Sequence, residues 1–213
     1  TLLDHLEVLE PQDLQESSVA RFPVQYVVRP KTEAYHDFRG FSGKLYGNTL
    51  KVGDKVTVLP SGNESSIKGI HFFDQEIEEA APGSSIVITL EDEVDCSRGD
   101  MIVKVGEEPT SEKSISATLC QVNSKNLRVG QKYILQHGVN RVLAKVEQIE
   151  AKIHADFSGT EETEQLKLND IGKVKLRLSK PVHFDSYQTN KSNGAFILID
   201  EGSFDTVSVG FIE

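Results

Sequence analysis

Tryptophan is absent from the 213 residues, methionine occurs once and cysteine twice. Two cysteines, Cys96 and Cys120, cannot build a disulfide-dense scaffold, and their separation has no metal-ligand spacing. They read as free, packed thiols of a cytoplasmic protein. Positive charge is scarce too: 23 Lys and Arg stand against 33 Asp and Glu, a formal net charge of −10. Such a surface repels a phosphate backbone, which argues against sequence-independent nucleic-acid binding. No apolar run approaches the roughly 18–20 residues of a membrane helix. No basic stretch leads into an apolar one at the N-terminus, so no signal peptide is visible and no membrane partner is expected. What remains is 38% hydrophobic and 26% charged, ordinary for a globular protein of one or two domains, each large enough to bury a core.

Along the chain, Leu2, Leu3, Leu6 and Leu9 fall on one helical face. They predict a short helix over 1–10, with Thr1 as cap, Asp4 three residues on, and Pro11 as stop. A polar linker follows to Ala20. From Arg21 the texture is β. Strands are predicted at Phe22 to Val28, Asp37 to Gly47, Lys55 to Leu59, Ser65 to Phe73, Ser85 to Leu90 and Met101 to Val105. Turn signals lie between them, and Gly40, Gly43 and Gly47 mark bends. In the fourth strand strict alternation places Ile67, Gly69, His71 and Phe73 opposite Lys68, Ile70 and Phe72. Gly106 to Glu112 is polar, contains Pro109 and reads as a boundary. A second β block follows: Ser114 to Val122, Gln131 to Gln136, Arg141 to His154, Lys173 to Leu178, Ala195 to Asp200 and Thr206 to Ile212, where Val207, Val209 and Phe211 share a face. Residues Asp156 to Leu168 read as a loop with room for a helical turn. The expected division is 1–20 helix and linker, 21–108 first barrel, 109–213 second barrel. One short echo links the blocks: Leu50-Lys-Val-Gly-Asp-Lys55 and Leu127-Arg-Val-Gly-Gln-Lys132 each set a glycine turn before a strand.

Motifs that could carry chemistry fail on inspection. A phosphate cradle needs Gly-x₄-Gly-Lys-Ser/Thr, and Gly40-Phe-Ser-Gly43-Lys44-Leu45 has the wrong spacing and no hydroxyl for magnesium. Asp37-Phe-Arg-Gly40 fits Asp-x-x-Gly but has no cradle upstream. Asn190-Lys-Ser-Asn193 begins like a guanine-reading motif and lacks its carboxylate. His5, His36, His71, His137, His154 and His183 have no metal-ligand spacing. No Gly-x-Ser-x-Gly elbow is present. Arg98-Gly99-Asp100 reads as a turn between strands. The acidic runs Asp74 to Glu79, Glu91 to Asp95 and Asp156 to Glu164 read as solvated loop charge, without calcium-loop spacing. No catalytic, cofactor-binding or metal residue is assigned.

Longer runs carry a resemblance. Arg21-Phe-Pro-Val-Gln-Tyr-Val-Val-Arg-Pro30, Asp37-Phe-Arg-Gly-Phe-Ser-Gly43 and Val52-Gly-Asp-Lys-Val-Thr-Val-Leu-Pro-Ser-Gly62 resemble the second domain of the large, GTP-binding subunit of bacterial sulfate adenylyltransferase. So does Thr89-Leu-Glu-Asp-Glu-Val-Asp-Cys-Ser-Arg-Gly-Asp100. Asn169-Asp-Ile-Gly172, Phe184-Asp-Ser-Tyr187 and Gly194-Ala-Phe-Ile-Leu-Ile-Asp200 resemble the third, and Thr1-Leu-Leu-Asp-His-Leu6 the segment after the GTPase domain. The Gly194–Asp200 run separates this family from elongation factor Tu, which shares the architecture. The resemblance implies two consecutive closed, Greek-key-type all-β barrels behind a short helix, and a parent that is a translation-factor-like GTPase. It implies as partners a small catalytic subunit that transfers adenylyl from ATP to sulfate, and the chain's own GTPase domain. GTP and magnesium are expected on that domain, which is not represented here, so this stretch is expected to bind no cofactor and to be a piece of a longer subunit. A tRNA-binding translation-factor pair and a stand-alone protein-binding module are the alternatives.

Overall fold

The computed structural model describes residues 1–9, 19–30, 38–156 and 158–213, with the side chain of Asp4 excepted. Residues 10–18, which hold the end of the predicted helix, Pro11 and most of the predicted linker, and His36 and Asp37 lie outside the described residues. Helix α1 is Leu2–Val8. The first barrel comprises β1 (Phe22–Val28), β2 (Gly40–Lys44), β3 (Leu50–Lys51), β4 (Lys55–Leu59), β5 (Asn63–Phe72), β6 (Gln75–Ile77), β7 (Glu79–Ala80), β8 (Ser85–Leu90) and β9 (Met101–Lys104). The second comprises β10 (Thr110–Gln121), β11 (Leu127–Arg128), β12 (Lys132–His137), β13 (Asn140–Ile153), β14 (Thr160–Glu161), β15 (Gln165–Leu166), β16 (Ile171–Phe184), β17 (Ala195–Ile199) and β18 (Thr206–Ile212).

The two barrels share one ring. The first runs β1-β2-β8-β5-β4-β9 and closes on β1; the second runs β18-β10-β16-β13-β12-β17 and closes on β18, all neighbours antiparallel. Superposing the rings puts the first strand of one barrel in the place of the last strand of the other, so they are circular permutations of one design. Closure removes the free edges that would otherwise template aggregation.

The sequence echo falls at equivalent points of these rings. Gly53 and Gly130 both take positive φ, +85° and +88°. Asp54 and Gln131 each accept the N–H three residues back, from Lys51 and Arg128, at 2.9 and 2.8 Å. Gly53 N donates to Ile67 O and Gly130 N to Val146 O, both at 2.8 Å. One turn chemistry thus launches β4 and β12, and glycine is needed because an L side chain rarely adopts that φ.

Each barrel has its own core. Phe22, Leu45, Val56, Val58, Ile70, Ile88 and Ile102 are fully buried in the first; Leu119, Leu127, Val146, Leu166, Val174, Leu176 and Leu198 are in the second. Each such side chain stabilises by about 1.5–3 kcal/mol.

Several predicted bounds shift. Among the described residues of the strand expected over 37–47, β2 occupies Gly40–Lys44. In β5 Ile67 and Ile70 are both buried, against strict alternation, because the register slips between Ile67 and Gly69. Thr110 already belongs to β10, so the connection between the barrels runs only from 105 to 109. Strand β16 continues past Leu178 through Pro181; the proline lies in the stretch opposite Lys113, where the β10 pairing is irregular and no ladder donor is required. The 156–168 loop holds two two-residue strands and no helical turn among its described residues. In β18 the expected shared face divides: Val207 is buried in the core, Val209 and Phe211 are only partly buried, and Ser208, Gly210 and Ile212 are buried.

Candidate functional site at the seam between the barrels

The motifs set aside above are absorbed by the fold. Gly40 and Gly43 lie in strand β2 and Leu45 is fully buried, so that run is barrel wall rather than a phosphate loop. Asn190 Oδ1 accepts the backbone N–H of Ser192 and of Asn193 at 3.1 Å each, which shapes a loop and reads no base. In the family-like Gly194–Asp200 run, a Cβ at Gly194 would stand 2.4 Å from Tyr187 Cα, so only glycine lets the two backbones cross. Asp200 ends the run by accepting the N–H groups of Ser203 and Gly202; these, with Lys125, pull its carboxyl down to about 2. Among the described residues no cluster of His, Cys, Asp and Glu could hold a metal ion. No described helix is long and apolar enough to cross a membrane.

Chemistry-bearing groups converge instead where the barrels meet. Arg21, one residue before β1, is 3% exposed, and its Nε and Nη2 donate to Asp185 Oδ2 and Oδ1, both at 2.8 Å. Its Nη1 donates to Ala20 O at 3.0 Å and to Glu107 O at 2.7 Å. Four of the five guanidinium N–H donors are thereby used. Asp185 lies 164 residues away, just after β16, and Asn193 Nδ2 donates to its Oδ2 at 2.8 Å. Asn193 O faces His137 Nε2 at 2.9 Å. A carbonyl can only accept, so His137 carries its proton on Nε2. Arg21 therefore knots three segments: the chain entering the first barrel, the connection between barrels, and a loop of the second barrel.

A second link lies beside it. The Arg98-Gly99-Asp100 turn, closed by Asp100 N to Ser97 O, presents Gly99 O to Asn140 Nδ2 at 2.7 Å. The connection itself is strapped down: Glu107 Oε2 accepts Ala20 N at 3.2 Å, and Glu108 Oε1 accepts the Thr57 hydroxyl at 3.2 Å. The same strip of the first barrel, Leu59, Met101 and Val103, is buried on the face opposite the core and forms a separate apolar cluster.

Burial governs titration here. Desolvation lowers the pKa of His137, outweighing the Asn193 bond and the charge of Asp185, and it lowers that of His183, which also senses Asp100 and His137. Both rings are neutral at pH 7. Cys96 is buried and free, and desolvation, reinforced by Asp100, pushes its thiol up to about 12. That is an unreactive packing residue; Cys120 is half exposed and also free. His71 lies in a groove of about 510 Å³ on the first barrel with Phe38, Lys68 and Glu91, its ring edge-on to Phe38 at 5.4 Å. His154 Nδ1 contacts Ser158 Oγ at the surface, and His5 is exposed on α1.

Sequence reading assigned no site residue and missed the seam. Arg21 opens the run 21–30 and Asp185 sits in the run 184–187, but nothing local pairs residues 164 positions apart. The only local signal is that Arg21 stands directly before the apolar strand Phe22–Val28.

The fold defines the class first. Sup35 complexed with GDP superposes with a TM-score of 0.80 over the whole chain at 14% identity, covering 51% of that protein. Sup35 complexed with GMPPNP does so at 0.79. These barrels are of the translation-factor type. Residues 114–213 match the family described as GTP-eEF1A C-terminal domain-like. The similarity narrows with curated relatives. Sulfate adenylyltransferase subunit 1 of Colwellia psychrerythraea is 39% identical over 212 residues, all of this chain and 45% of that protein; that of Psychromonas ingrahamii is 41% identical over 192 residues, 90% of this chain and 40% of that protein. The bifunctional enzyme CysN/CysC of Rhodopirellula baltica is 37% identical over 212 residues. Along its whole length the chain is similar to the C-terminal part of sulfate adenylyltransferase subunit 1, and it spans less than half the length of these relatives.

Proposed function

We propose that this barrel pair is the C-terminal arm of the GTP-dependent subunit of a cytoplasmic sulfate adenylyltransferase. Its role is to couple GTP hydrolysis on a preceding GTPase domain, where GTP and magnesium bind, to synthesis of adenylylsulfate from ATP and sulfate on a small catalytic subunit. No catalytic centre is assigned to residues 1–213, and the arm divides at 108/109 into two barrel domains. The observation that carries the reading is 39% identity to a subunit 1 along the entire chain; the designation implies at least one other subunit. The seam supports it physically. A change of packing at the first barrel reaches the second only if the two move together, and Arg21–Asp185 is the part that would hold them so.

The test uses the full-length subunit with its partner. Pyrophosphate release from ATP and sulfate is followed with and without GTP. Asp185→Asn is expected to leave GTP hydrolysis near the wild-type rate and to cut GTP-stimulated synthesis by about tenfold, the loss of ~1.4 kcal/mol of coupling. GTP stimulation that survives intact in that variant, or that is absent from the wild-type complex, contradicts the reading.

A further inference from the structure

The hairpin between β5 and β6 turns through two residues, Phe73 and Asp74, since Phe72 pairs with Gln75. The first residue of such a turn commonly takes positive φ and is then filled by Gly or Asn. Here it is phenylalanine at φ +55°, and its ring is 91% exposed. A bulky side chain in that conformation is strained, and an exposed one receives nothing from the core in return. Phe72 beside it is 38% exposed, and the two rings meet edge to face with centroids 4.7 Å apart. Together they form a preorganised aromatic plug that the fold does not need.

The setting of the plug says what it fits. From Asn63 to Asp95 nine carboxylates face one lysine, Lys68. Glu76, in β6 three residues after Phe73, is 82% exposed on its side chain and shares the groove with Glu91, Asp92 and Glu93. An anionic membrane or a nucleic acid would be repelled by this ring. A second copy would bring the same carboxylates against it. The complement is a protein surface with an apolar socket rimmed by Lys and Arg.

We propose that the Phe72–Phe73 tip is the docking plug for the other subunit of the adenylyltransferase, and that the socket on that subunit is apolar and basic-rimmed. This rests on the function proposed above.

The experiment uses the full-length subunit and the separately purified small subunit, with Kd measured by calorimetry at low and moderate salt. Phe73→Gly relieves the turn, so its melting temperature stays level or rises, and its Kd is expected to weaken about 30-fold, the loss of one aromatic hot spot. The double variant Glu91→Lys, Glu93→Lys is expected to weaken binding further at low salt than at moderate salt. A Phe73→Gly Kd within twofold of wild type overturns the docking proposal while leaving the functional reading standing. Wild-type subunits that do not bind each other overturn both. A wild-type homodimer that Phe73→Gly dissolves also overturns the proposal and gives the tip to a second copy.

Discussion

The two barrels have one ring topology and opposite surfaces. The second is built on three strands of 12, 14 and 14 residues, and residues 110–213 hold 13 basic and 13 acidic side chains. The first has ring strands of four to ten residues, and residues 21–109 hold 10 basic and 15 acidic side chains. It also carries the acidic groove beside His71 and the aromatic tip. Equal topology with unequal dress separates what closing a barrel requires from what the proposed docking requires. Long strands over a continuous core make a scaffold, whereas short strands with acidic loops make a face. The seam lets one serve the other.

The largest expected effect comes from cutting that seam. Asp185→Ala leaves Arg21 buried without its counter-charge and should cost about 3–5 kcal/mol. By calorimetry the barrels should then melt as two transitions instead of one. A single transition at the wild-type temperature would show that the seam holds nothing together.

A smaller pair of substitutions tests the shared design. Gly53→Ala and Gly130→Ala each force an L residue into positive φ, with open space around both. Each should cost about 1–2 kcal/mol, and the two values should agree. Unequal losses in urea titrations would mean that the echoed turns differ in function despite matching bonds.

The pH dependence is subtler and belongs to the seam. His137 and His183 have folded pKa values lowered by burial, so between the folded value and the unfolded value of about 6.5 the unfolded chain binds more protons. Stability is then full above about pH 6.5 and falls as pH drops below it. His137→Gln should flatten that fall. An unchanged profile would place the titration elsewhere. Least in energy, the buried thiol of Cys96 should resist alkylation in the folded protein while Cys120 reacts. Equal rates would contradict the burial of Cys96.

Much of this fold is legible in the sequence wherever local chemistry decides the outcome. Phe22–Val28, Lys55–Leu59, Ser85–Leu90 and Thr206–Ile212 are read to the residue, because each is a short apolar run between turn formers. The Gly53 and Gly130 turns are legible for the same reason. What escapes is non-local. Strand β16 passes Pro181 because its partner, not its own sequence, supplies a gap in the ladder. The inward pair Ile67 and Ile70 follows from a register slip against β8. The seam escapes most completely: Arg21 becomes a buried ion pair only once two barrels are closed and packed.

The account rests on Arg21 and Asp185 acting as one element, and a double-mutant cycle tests that directly. Arg21→Met, Asp185→Leu and the double variant are unfolded in urea alongside the parent. The bidentate 2.8 Å pair predicts the apolar double variant to be more stable than either single one, so the coupling energy should exceed the larger single loss of about 3–5 kcal/mol. A coupling near zero, with the two losses simply adding, would contradict the claim that this pair joins the barrels.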